Sequence, residues 1–141
     1  MIRKHATATW SGGLKDGKGQ ISSESGAVEA AYGFNRRFGD EKGTNPEELV
    51  AAAHAGCFAM ALSGNFDAAG VKADKIDARS TVMLDMSGDA PTVTKIHLTV
   101  TAQVPGLEPG RFQEIAEKTK ETCPISRLLA AAEITMEATL A

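Results

Sequence analysis

Cysteine is scarce in this chain: two residues among 141, Cys57 and Cys123. They stand too far apart to form a C-x₂-C pair, and His5, His54 and His97 are scattered, with no H-x₃-H spacing. A structural zinc site of the usual kind is thereby excluded, and no metal ligand set is proposed. Positive charge is not in excess either. The net charge of −3 argues against a nucleic-acid binder, which would carry a basic patch or stripe. No apolar run follows the basic residues of MIRKHATATW, so a secretory signal is not expected and the chain is read as cytoplasmic. Internal repeats, low-complexity tracts and linkers are missing. The glycines form no nucleotide fingerprint. Gly12-Gly13 and Gly17-Lys18-Gly19 lack the strand–loop–helix setting of a phosphate cradle and are read as turns, so no cofactor is implied.

What is present is an ordinary globular composition, 43% hydrophobic and 23% charged. The length suits a single domain over residues 1–141, able to bury roughly 68–70% of its unfolded surface. The longest stretch without Asp, Glu, Lys or Arg covers residues 49–66. It is mostly alanine and includes His54, Ser63, Gly64 and Asn65. A membrane span needs about 20 strongly apolar residues. A core helix is the better reading, with no membrane partner.

Local patterns give the elements. Residues 7–10 alternate and stop at Ser11-Gly12-Gly13, which predicts a short strand and turn. Residues 17–24 supply a hairpin partner and 28–34 a third strand. The charged, glycine-containing run 36–44 predicts a loop. Thr44 or Asn45 can then cap a helix, with Pro46 at its first position and Glu47 and Glu48 on the favourable end of its dipole. Because residues 49–66 are apolar on nearly every face, that helix should be surrounded by other elements, with Gly70 as its stop. Residues 76–86 and 92–104 alternate with period two around Ser87-Gly88-Asp89 and predict an antiparallel hairpin. Residues 108–122 have helical spacing. Pro124 forces a break at Cys123 and can open a short helix over 125–130, and 133–140 reads as a last strand. The sum is α+β, an antiparallel sheet with one very buried helix.

The chemistry centres on the thiols. A buried cysteine is most often a small hydrophobe. To react it must ionise, which needs positive charge nearby. Cys57 lies ~15 Å up its helix from Glu47 at the usual rise, beyond the reach of the dipole. The cation must come from elsewhere, and Arg36 and Arg37 precede the helix; Glu47 is the natural anion to hold one of them. His54, three residues before Cys57, offers a Cys–His nucleophile pair, although a core histidine is the commoner outcome. Cys123, just before Pro124, is the more ionisable thiol on local grounds, since its sulfur can meet free backbone N–H groups. Local physics leaves the order of the two thiols open.

Tyr32-Gly33-Phe34-Asn35, Arg37-Phe38, the run EKGTNPEELVAAAHAGCFAMALS from Glu41 to Ser63, Thr94-Lys95-Ile96, Val104-Pro105-Gly106 and Cys123-Pro124-Ile125-Ser126 together closely resemble the OsmC branch of the OsmC/Ohr organic-hydroperoxide-resistance family. The resemblance covers essentially the whole chain. It implies an OsmC-like α+β fold, a curved antiparallel sheet with a long buried central helix, in an intertwined homodimer whose active sites lie at the subunit interface. It makes Cys57 the peroxidatic and Cys123 the resolving cysteine, against the local ranking. Arg37 and Glu47 match the activating pair, with Glu48 adjacent.

A peroxidase cycle follows from that assignment. Arg37 holds Cys57 as thiolate and polarises an organic hydroperoxide, an alcohol leaves, and Cys57 becomes a sulfenic acid. Cys123 condenses with it to a disulfide, and an external dithiol, of lipoyl type in the family, restores the thiols. Apolar walls such as Phe34, Phe58 and Met60 would favour alkyl or lipid hydroperoxides. Two other classes compete: a non-enzymatic module for a hydrophobic ligand with inert cysteines, and a Cys57–His54 hydrolase.

Overall fold

The computed structural model describes all residues, Met1–Ala141, and divides the chain into two compact units, Met1–Leu49 and Val50–Ala141. The first unit is a meander of three short antiparallel strands, β1 (Ala6–Ser11), β2 (Lys18–Ser23) and β3 (Glu29–Tyr32), in the order β1-β2-β3. It has almost no interior of its own: β1 is exposed throughout, and Gly19 is the only buried residue. Glycine is required there, because a Cβ would collide with the rings of both Trp10 and Tyr32. The expected loop over 36–44 is partly helical. A five-residue helix, α1 (Phe34–Phe38), carries both arginines.

Helix α2 (Pro46–Ala68) starts where the capping signals place it. Asn45 is the cap, its Oδ1 accepting the N–H of Glu48 at 2.9 Å. The helix ends before Gly70, whose φ of +79° suits a residue without Cβ. By length and composition alone α2 could cross a membrane. Its burial differs from expectation: only His54, Phe58, Leu62 and Phe66 are fully buried, a single stripe at four-residue spacing. An all-apolar sequence cannot say which face will be chosen.

The second unit holds a sheet of β4 (Lys75–Asp85), β5 (Thr92–Gln103) and β6 (Glu133–Leu140), in the order β4-β5-β6. β4 and β5 form the expected hairpin, with a bulge at Met83/Leu84 and a turn in which Asp85 accepts from the N–H and hydroxyl of Ser87. The β5–β6 pair is parallel, so the expectation of a purely antiparallel sheet is corrected. Alternation reports which face a residue takes, not strand direction. A parallel partner needs a crossover, and here it contains α3 (Pro109–Thr122) and α4 (Pro124–Leu128). Central strand β5 buries Ile96, Leu98, Val100 and Ala102 on one face. With Phe58, Leu62, Phe66, Phe112, Ile115 and Ala116 they form most of the core, in which the Phe66 and Phe112 rings stack 6.1 Å apart. Burying each such side chain contributes roughly 1.5–3 kcal/mol.

Candidate active site

The first unit brings Arg37 to Glu47. Arg37 donates from Nε to Oε2 at 3.0 Å and from a terminal nitrogen to Oε1 at 2.6 Å, a two-pronged pair that fixes the plane of the guanidinium. Hydrogen bonding from Arg37 holds the Glu47 carboxyl below its usual range, so this carboxylate remains charged at neutral pH and the pair is lost only as pH falls through that lowered value. The same bond pushes Arg37 further up. Glu48 is not the partner. Arg36 turns to Glu41 at 2.9 Å and to the Lys42 carbonyl, so one arginine braces the loop while the other braces the start of α2.

Arg37 also lines a cavity of about 300 Å³ with Trp10, Leu14, Tyr32, Phe34 and Phe38, and its guanidinium lies 5.0 Å from the centre of the Phe38 ring. The walls are therefore apolar, with one fixed cation. Of the residues expected as apolar walls, Phe34 lines this cavity. Phe58 belongs to the core of the second unit, and Met60 is exposed at 79%. The clustering of Trp10, Tyr32, Phe34 and Phe38 early in the chain was the signal available for this cavity.

The second unit brings the cysteines together. Cys57 on α2 and Cys123 at the break between α3 and α4 place their sulfurs 3.3 Å apart, both as free thiols. Cys123 is completely buried, whereas Cys57 is half-buried. Burial pushes the Cys57 thiol up, beyond what the N–H of Ile125 offsets. Burial acts on Cys123 in the same sense but is outweighed there by the polar groups of Ser126, Cys57 and Ile125 around it, leaving that thiol below its usual value. Cys123 stands at the N-cap of α4, as expected, but its side chain makes no cap hydrogen bond there.

His54 does not face Cys57 as a base. Its Nδ1 is 3.0 Å from Oγ of Ser80 and its Nε2 2.8 Å from Oγ of Ser126, which occupies both ring nitrogens. Burial holds it below its ordinary pKa.

Comparison with known proteins gives the family. The OsmC-like protein family model matches residues 39–139, and that range contains Glu47, Cys57 and Cys123. The chain belongs to the OsmC-like protein family. It is 47% identical over 137 residues to peroxiredoxin OsmC of Escherichia coli strain K12, covering 96% of this chain and 95% of that protein. The organic hydroperoxide resistance protein of Xanthomonas axonopodis pv. citri is 32% identical over 131 residues, covering 89% and 85%. Among solved structures, OhrB of Bacillus subtilis, an organic hydroperoxide resistance protein, superposes with a TM-score of 0.67 at 26% identity, covering 95% of this chain and 97% of that one.

Proposed function

We propose that this OsmC-family chain is a thiol peroxidase that reduces organic hydroperoxides to alcohols, with Cys57 as nucleophile and Cys123 as resolving thiol. The observation that carries the reading is the pair of free sulfurs 3.3 Å apart, one half-buried and the other sealed. The reachable thiol attacks one peroxide oxygen, the O–O bond breaks, and the alcohol leaves. Cys57 becomes a sulfenic acid. Cys123 displaces its oxygen as water, and the sulfurs join at about 2.05 Å. An external dithiol of lipoyl type then reduces the disulfide by exchange. In this reading Arg37, aligned by Glu47, supplies the charge that ionises Cys57 in the working assembly, and the apolar cavity that Arg37 lines suits an alkyl or lipid chain. Two free thiols suit the reducing cytoplasm.

One equivalent of cumene hydroperoxide is expected to remove two hydrogens from the mass of the intact chain, and an unchanged mass would point to inert cysteines. Cys123→Ser is expected to consume one equivalent and then stall, with added oxygen on Cys57 that grows under excess peroxide. Full turnover of that variant with a dithiol would mean that external thiols resolve Cys57 and that Cys123 is structural.

The working unit in this proposal is a homodimer. A three-stranded sheet without a buried side chain is marginal alone, and Trp10, Leu14 and Val28 are among the exposed large apolar residues. Unfolding is expected to depend on protein concentration. Sedimentation that shows an active monomer at micromolar concentration would remove the shared-site part of the proposal.

A further inference from the structure

Two polar residues in the alanine-rich run of α2 turn towards the protein interior, His54 fully buried and Asn65 half-buried. They stand about three turns apart on one side of the helix, with Cys57 between them in sequence. Each reaches across to the α3–α4 corner that carries Cys123. Nε2 of His54 lies 2.8 Å from Oγ of Ser126, on α4. The side-chain amide of Asn65 donates to Oγ1 of Thr119, on α3, at 2.7 Å. Between these two bonds the sulfurs of Cys57 and Cys123 meet at 3.3 Å. The order runs in opposite directions along the two sides: His54 to Ser126, Cys57 to Cys123, Asn65 to Thr119.

Both bonds are braced from behind. The His54 ring is held on its other side by Oγ of Ser80, on β4, at 3.0 Å from Nδ1. The Thr119 hydroxyl gives its one proton to the Ile115 carbonyl at 2.7 Å, so towards Asn65 it can only accept. Thr119 is 0% exposed and Ser126 3%, so water competes little for either bond. The main chain carries the restraint on to the thiol. The N–H of Cys123 donates to the Thr119 carbonyl at 2.8 Å, and the Cys123 carbonyl accepts at 3.0 Å from the N–H of Arg127, the residue after Ser126. We propose that His54–Ser126 and Asn65–Thr119 are two clasps flanking the thiol pair, and that His54 and Asn65 are positioning residues that keep the Cys123 sulfur facing Cys57 for disulfide closure.

This inference rests on the peroxidase reading. In the step it serves, the Cys123 thiolate attacks the sulfenic sulfur of Cys57. The S–S bond forms and the S–O bond breaks. The departing hydroxide takes up the proton that Cys123 lost on ionising and becomes water. The Cys57 sulfur is reduced and the Cys123 sulfur oxidised, with no further reductant. A thiol already held in line closes faster than one that must first find its partner. Speed matters at this step, because a waiting sulfenic acid can meet a second hydroperoxide and pass irreversibly to the sulfinic acid.

Two readouts test it. The first needs no peroxide. Equilibration with reduced and oxidised dithiothreitol, trapped with iodoacetamide and read by mass, gives the effective concentration of Cys123 at Cys57. A clasp that aligns the reduced thiols raises that value. Ser126→Ala and Thr119→Val, which remove one hydroxyl each and little volume, are each expected to lower it about tenfold, the worth of a hydrogen bond whose buried partner is left unpaired. Thr119→Ser, which keeps the hydroxyl, should stay at the wild-type value. So should Thr122→Val, whose hydroxyl bonds only the Lys118 carbonyl of its own helix. The second readout is stopped flow with cumene hydroperoxide. In Ser126→Ala and Thr119→Val the first equivalent should be consumed at the wild-type rate, closure should slow about tenfold, and more Cys57 should over-oxidise under excess peroxide. General loosening of the fold would instead lower the Thr122→Val value as well, or slow both steps together. Either of those results, or an unchanged dithiothreitol equilibrium in Ser126→Ala or in Thr119→Val, would overturn the proposal. If the wild type consumes no hydroperoxide, the peroxidase reading fails, and the dithiothreitol equilibrium still decides the clasps.

Discussion

Serine in place of Cys57 is expected to reduce hydroperoxide consumption to the rate of the blank. The two thiols make opposite claims on the nucleophilic role. The Cys123 thiol lies below its ordinary value and the Cys57 thiol above it. Cys123 is also sealed from solvent. Attack on a peroxide requires the sulfur to approach one oxygen in line with the bond that breaks, and a fully buried sulfur has no such approach. Cys57 is reachable but holds its proton more tightly, because burial disfavours its thiolate and no cation among its neighbours in the second unit offsets that cost. Access cannot be supplied by a neighbouring residue, whereas charge can. Access therefore decides, and the serine variant removes the only sulfur that substrate can meet. A serine hydroxyl ionises far too weakly to take over. Stopped-flow consumption of cumene hydroperoxide reads the result. A serine variant with full activity would make Cys123 the nucleophile and reverse the assignment.

The elements were legible because their signals are local. Asn45-Pro46 starts α2, Pro124 breaks the chain at Cys123, and alternation marks both long strands. The direction of β6 was not legible, since alternation is the same in parallel and antiparallel strands. Nor was the buried face of α2, since alanine on every side leaves no stripe to read. The pairing of Arg37 with Glu47 was legible as charge logic, and the distance between the thiols was not. It depends on the core closing around Phe58 and Phe112, residues far apart in sequence. His54 was visible only as a possible base for Cys57, because sequence spacing shows what shares its helix and not what packs across from it. The lone serine on the inward face of β4 was the available sign of a polar partner.

Arg37→Ala is expected to slow the single-turnover reaction of Cys57 on the order of 10²-fold or more at neutral pH, the usual cost of losing a donor aimed at developing charge. Arg36→Ala should stay close to wild type. Both arginines lie on α1, and each already has a carboxylate. The difference lies in what else each one faces. Arg36 is tied to the loop through Glu41 and the Lys42 carbonyl. Arg37 is held by Glu47 against the wall of an apolar cavity, where a guanidinium can meet a peroxide. Without that charge the Cys57 thiol rests where burial puts it, above the ordinary value of about 8.5. Its thiolate fraction at neutral pH is then small and grows about tenfold per pH unit until the pKa is reached. The defect should therefore shrink as pH rises. It should not vanish, because in the proposed mechanism Arg37 also polarises the peroxide. Glu47→Ala should act in the same direction but more weakly, since it frees the guanidinium without removing it. The check is the pH profile of single-turnover rates for the three variants beside the wild type. An Arg37→Ala protein with the wild-type rate and profile would mean that another group makes the thiolate, and a defect equal at all pH values would leave Arg37 the peroxide but not the ionisation of Cys57.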